Sequence, residues 1–285
     1  MHQFPEKKDY PKDFFYHRTS SPTYRKYLEG CGLSTFDFHH PPQFAWRKKI
    51  FGDNFGVVKY ERVDHEPDIE VIKKVTGLKH AFVAWIPYSR TKSQIPKPWR
   101  KLWFTDHFEE TGFAELKEGQ PYTASWNDRA KRALKKFEKS GCSVRAVTPE
   151  EFVTAFRATK VKHWHKSVYI GYYKKMVAIN SSAVRQWVAY STDGVAIAGL
   201  AAHDYIDNHS VHLVAFTNQK YYDTQAGTAV MGEWFRDSKE KGMKYLTVDH
   251  IRNRTGPSDQ KGYTEFKENF ITTRLSFREA YFRFF

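Results

Sequence analysis

Three strand-like runs, residues 184–190, 195–202 and 210–216, follow one another closely, and a fourth, 245–248, is reached only across a helical stretch at 223–241. This order constrains the fold more than any other feature. Strands joined by short turns pair antiparallel, whereas a strand–helix–strand crossover makes a parallel pair. The order therefore implies a mixed sheet with helices on its faces. The middle run, VAIAGLAA, is apolar on both faces, as a central strand would be. Ala226, Ala229, Val230 and Trp234 form the inner stripe of the helix, and Gly242 stops it.

Flanking signals extend the pattern. Residues 127–140 read as a basic helix with Ala130, Leu134 and Phe137 on one face, closed by Gly141. A strand at 142–147 leads to Thr148-Pro149-Glu150-Glu151, a helix start with proline at the first position and an acid three residues after the threonine. A further helical or irregular piece runs through 173–179. A polar loop at 252–261, a short helix at 264–270 and a last strand ending at Phe285 complete this half.

The first half is less regular. Residues 1–30, with Pro5, Pro11 and Pro22, read as an extended arm. Strands are expected at 51–60 and 80–87, with a short helix at 68–76 whose Ile69, Ile72 and Val75 recur three apart. An irregular basic loop follows at 89–101, then a second irregular stretch at 112–125. The domain boundary is placed near Ser125, giving units 1–125 and 126–285.

Composition narrows the class. With 40% hydrophobic and 17% aromatic residues the chain is a folded globule. Its 46 Lys and Arg against 32 Asp and Glu leave a net charge of +14, which draws polyanions such as nucleic acid or nucleotide phosphates. Cys31 and Cys142 make no disulfide framework, and reduced thiols are expected. No apolar leader and no run of membrane-spanning length occurs, so a cytoplasmic location is expected.

The order of elements resembles the GNAT acyltransferase fold. Within it, Gly262-Tyr263-Thr264-Glu265-Phe266-Lys267-Glu268-Asn269-Phe270 resembles the Gly–x–x–x–Phe–Lys–x–x–Phe signature of FemAB-like transferases, after the last crossover strand and a polar loop. The Asp193-Gly194 reversal before the buried strand and the basic helix before Gly141 are similar to that family's elements. The resemblance covers about 160 residues. It implies a mixed α/β (α+β) fold, a mixed central sheet flanked by helices, in two GNAT-like subdomains of which the N-terminal is degenerate. It further implies transfer of an aminoacyl group from aminoacyl-tRNA to a peptidoglycan precursor, with the acceptor cleft between the halves. No cofactor is held tightly; aminoacyl-tRNA or acyl-CoA serves as co-substrate.

Lys267 matches the family lysine, whose ammonium would stabilise negative charge on the attacked carbonyl oxygen; a solvated helix lysine is the alternative. Phe266 packs to aim it. Asp249, or His250 beside it, could accept the proton of the incoming amine; a loop-capping Asp is the alternative. Arg129, Arg132 and Lys136, with their basic neighbours, could grip a tRNA backbone or a nucleotide diphosphate. Tyr221, Gln225 and Gly227 stand where acetyl-CoA enzymes place their phosphate loop, one residue short of that pattern. Trp99 among cations could stack a base or anchor a surface. His163 and His165, two apart on a helix, point to different faces, so no metal pair is expected. Besides the aminoacyltransferase reading, an acyl-CoA-dependent N-acetyltransferase and a non-catalytic nucleic-acid-binding module stay open.

Overall fold

The computed structural model describes residues 21–37, 44–63, 66–87, 97–102, 110–159, 163–206, 208–251, 261–276 and 280–285. Among these, residues 111–251 and 261–274 form one compact unit, and 21–110 with 275–285 form another.

The unit that begins the chain comprises α1 (Pro22–Gly30), β1 (Ser34–Asp37), β2 (Phe44–Phe51), β3 (Phe55–Glu61), α2 (Ile69–Thr76), β4 (His80–Ile86), β5 (Arg100–Lys101) and, from the chain's end, β13 (Tyr281–Phe284). Its sheet has the order β1-β2-β3-β4-β13-β5. The first three strands pair antiparallel. Helix α2 then carries the chain to β4, parallel to β3 over seven pairs, from Phe55 with His80 to Glu61 with Ile86.

Sequence expectations here needed revision. Residues 22–30 are helical, because Ser21 accepts from the Tyr24 amide and Pro22 starts the first turn. Helix α2 buries Ile69, Ile72 and Thr76, whereas Val75 is 46% exposed. Its inner stripe follows the i, i+3, i+7 helical period, not a strict spacing of three. Helix and sheet enclose Val58, Tyr60, Ala81, Val83 and Trp85.

The other unit holds β6 (Glu110–Glu115), α3 (Asp128–Glu138), β7 (Ser143–Ala146), α4 (Pro149–Ala158), α5 (His163–Ile179), β8 (Val184–Tyr190), β9 (Ala196–Ile206), β10 (His209–Thr217), α6 (Ala226–Glu240), β11 (Tyr245–Ile251), α7 (Lys261–Glu268) and β12 (Thr273–Ser276). The strand order is β12-β6-β11-β10-β9-β8-β7. Strands β7 to β10 pair antiparallel in succession, and α6 crosses over to β11, parallel to β10. The segment β8-β9-β10-α6-β11 thus repeats the topology of β1-β2-β3-α2-β4.

The units divide elsewhere than at Ser125. Strand β6 lies where an irregular stretch was expected and belongs to the second sheet. The closing strand β13 pairs with β4 and β5 in the first.

Local signals explain several elements. The Thr148–Glu151 capping box forms in full and starts α4. At Gly199 an added Cβ would lie 2.3 Å from the Phe216 ring, so only glycine lets that ring cross the strand. Phe216 stacks on Phe156 at 5.0 Å and meets Phe152 at 5.5 Å, covering one face with α4. On the other face α6 buries Val230, Trp234 and Phe235 with Leu200, Leu246 and Val248. Arg185 of β8, 8% exposed, ties sheet to helix by donating to Asp204 and Ser210 of the sheet and to Asp237 and Ser238 of α6.

Candidate active site

Parallel pairing between β10 and β11 covers only His209–Val211 with Tyr245–Thr247. Beyond it β10 continues beside β9 to Thr217, while β11 runs on to Ile251. The strands thus fork toward their C-terminal ends, the end at which open α/β sheets bind ligands. Thr247 is the last residue of β11 paired with β10. Its hydroxyl is buried and has no hydrogen-bond partner among the described residues. The equivalent pair β3–β4 stays joined over seven pairs, so its two strands do not part.

Three sequence candidates lie at the start of α6, beside this fork. A 3-10 turn, Gln219–Thr224, leads into Gln225, whose backbone is left-handed at φ 63°. No side chain caps α6, and its first turn holds no acid. Gln225 instead donates its side-chain amide to the Tyr222 carbonyl at 3.2 Å. Helix α2 differs: the Asp68 carboxylate accepts from the Glu70 and Val71 amides and occupies that helix start. An uncapped N-terminus retains the positive end of its helix dipole. At Gly227 an added Cβ would sit 3.4 Å from Thr217 Oγ1 and 3.6 Å from the Phe266 ring. Gly227 therefore lies close to both the end of β10 and α7. Tyr221 is half-buried against the core, with Lys220 Nζ 5.7 Å from its ring centre.

The far side of the fork carries Asp249, His250 and Lys267. Lys267 is 2% exposed, so it is not a solvated helix lysine. Its Nζ donates to the His250 carbonyl at 3.0 Å and lies 3.9 Å from the centre of the Tyr263 ring. Asp249 is left-handed at φ 62°, a conformation that Asp tolerates better than most side chains. Its carbonyl accepts from Thr111 Oγ1 at 2.7 Å, and Oδ1 lies 3.8 Å from His250 Nε2. Phe266 packs edge-on against Phe270, which packs against Trp126 at 4.9 Å, and so α7 is fixed on the core. The sequence alone pointed to Lys267 but not to its acceptor, a main-chain carbonyl, nor to Tyr263, which stands inside the same motif.

Arg129, Arg132 and Lys136 share one exposed face of α3, turned on average roughly 130° from the Ala130–Leu134–Phe137 stripe by helical geometry. No contact among the described residues joins them to Lys267 or Asp249. The first turn of α3 is tied to the end of α7, where Asn127 and Asn269 bond through main chain and side chains. Trp99 is 5% exposed, packs on Trp85 and donates its indole N–H to Glu66 at 2.7 Å. It stacks no base, because its faces and its donor are already engaged. Most of the 89–101 loop, the 252–260 loop and the side chains of His163 and His165 lie outside the described residues.

No protein-family model matches the chain, and no curated protein sequence matches it. Solved structures do. FemX superposes with a TM-score of 0.67 at 9% identity, over 93% of each chain. L-PGS from Bacillus licheniformis gives 0.53 at 13% identity, over 99% of this chain and 94% of that one. A tandem GNAT protein from the clavulanic acid biosynthesis pathway gives 0.50 at 9% identity, over 88% and 82%.

Proposed function

With the FemX-like, tandem-GNAT fold as the premise, we propose that this chain is an acyltransferase whose donor binds in the β10–β11 fork. The observation that carries this reading is the contrast between two otherwise alike crossovers. One parallel ladder is closed over seven pairs beneath a helix capped by Asp68; the other opens after three beneath a helix with no cap.

An acceptor amine attacks the donor carbonyl, and Asp249 or His250 takes its proton. Negative charge on the carbonyl oxygen is stabilised by the buried Lys267 ammonium. The carrier leaves as an alcohol or a thiol, and an amide is formed. The α6 start and the Arg129–Arg132–Lys136 stripe are assigned to phosphates of the carrier.

The 262–270 motif favours an aminoacyl-tRNA donor and a cell-wall precursor as acceptor. The uncapped α6 start with Gly227 favours a second reading, an acyl-CoA donor. One experiment separates them. Wild type and Lys267→Met are incubated with a simple amine and either tRNA charged with labelled amino acids or labelled acetyl-CoA. Amide formation from charged tRNA, lost in the variant, supports the first reading; amide from acetyl-CoA supports the second. Salt-sensitive tRNA retention without amide from either donor would leave only a nucleic-acid-binding module.

A further inference from the structure

Two apolar side chains stand at the tip of the β2–β3 hairpin, Ile50 at 47% and Phe51 at 69% exposure. Gly52, left-handed at φ 57°, makes the turn, and Asn54 closes it with a 3.1 Å bond to the Phe51 carbonyl. The surroundings are cationic. Lys48 and Lys49 precede the tip on β2. Bonds from the Lys79 amide to the Asp53 carbonyl and from the His80 amide to the Asn54 carbonyl, 2.9 and 3.0 Å, bring the start of β4 alongside. Arg47 reaches the Thr76 carbonyl at the end of α2, whose last turn carries Lys73 and Lys74 and the exposed Val75. Asp53 is the acid of the turn, and Lys49 pairs with it. The acids Glu66, Asp68 and Glu70 gather at the opposite end of α2. Charge is thus sorted along α2, with the apolar tip beside the helix's cationic C-terminal end.

We propose that this tip contacts an anionic lipid surface, with Ile50 and Phe51 inserting among the headgroups and Lys48, Lys74 and Lys79 pairing with lipid phosphates around them. Apolar insertion ringed by lysines, whose stems follow the apolar surface while their ammoniums stay at the phosphates, suits an interface. Single-stranded nucleic acid fits less well. Ile50 has no π-face, and Phe51 leans on Phe55 at 6.4 Å and 43°, which is no flat stacking platform.

The test compares the full chain with an Ile50→Ser, Phe51→Ser double variant by co-sedimentation with phosphatidylglycerol/phosphatidylcholine vesicles, phosphatidylcholine vesicles, and a single-stranded RNA. Both side chains are exposed, so the variant should melt with wild type. We expect wild type to bind the anionic vesicles, and the variant to bind them about tenfold more weakly or worse, given the free energy of burying a phenyl and an aliphatic side chain. Equal vesicle binding by both proteins, no binding of wild type to anionic vesicles, or a loss in the variant of RNA binding alone would each overturn the proposal.

Discussion

The Lys267 ammonium is bonded at 3.0 Å to the main-chain carbonyl of His250, which joins α7 to the end of β11 at the open side of the fork. The lysine therefore shapes the strand end as well as supplying charge. Lys267→Met keeps the stem and its packing while removing both the charge and this hydrogen bond. It should melt within a few degrees of wild type and transfer acyl groups on the order of 10²-fold more slowly. Lys267→Ala should lose roughly 2–4 kcal/mol of stability as well. Equal rates for Lys267→Met and wild type would remove Lys267 from the chemistry.

Gly227 and Gly199 should respond oppositely to alanine. At Gly227 the added carbon meets neighbours at 3.4 Å or more, so the fold should tolerate it. Donor binding should weaken if the backbone there approaches a phosphate. At Gly199 the carbon would meet Phe216 at 2.3 Å, and we expect a loss of roughly 1–3 kcal/mol in urea unfolding. A Gly227→Ala protein that unfolds as readily as Gly199→Ala would show that Gly227 serves packing.

Arg185 is buried and pairs with both Asp204 and Asp237, so Asp204→Ala leaves it one carboxylate and should cost about 1–2 kcal/mol, less than Arg185→Ala at roughly 3 kcal/mol. Replacing Arg185 and Asp204 together by apolar residues should cost much less than the sum of the single changes. Additive losses in a double-mutant cycle would contradict the network.

Glu151 links stability to acid. The Thr148 amide, and then Arg145, hold its carboxyl below the usual range. Its folded value lies below its unfolded value, so its contribution is present above the ordinary carboxylate range and is lost as pH falls through the folded value. Wild type should melt above Glu151→Gln at pH 7, and the gap should close in strong acid. A gap unchanged with pH would mean that the charge is irrelevant to the cap.

What the letters revealed and what they hid follow a physical division. The strands from Val184 to Ile251, α3 and the α4 cap announce themselves through local periodicity and capping residues. Strand β6 does not: it is made by its neighbours, with Ile251 and Ile271 crowding Gly112 so closely that an added Cβ would lie within 2.8 Å of each. The partner of β13 is equally non-local. Trp99 seemed surface-bound among its basic neighbours, but its indole is held by Glu66, 33 residues earlier. At the site, Lys267 was legible from its motif, whereas the fork depends on how many residues β10 and β11 share, a length that no residue pattern records.

Because β13 lies between β4 and β5, the first sheet is finished by residues made after all of the second unit's strands. A ribosome working at roughly 5–20 residues per second needs roughly 10–40 s to pass from the end of β4 to the start of β13. Through that interval β4 offers an unsatisfied edge to any passing strand. The half encoded later can reach its native form once Ser276 has been synthesised, and the earlier half only after it. Maturation of this polypeptide therefore runs against the direction of its translation.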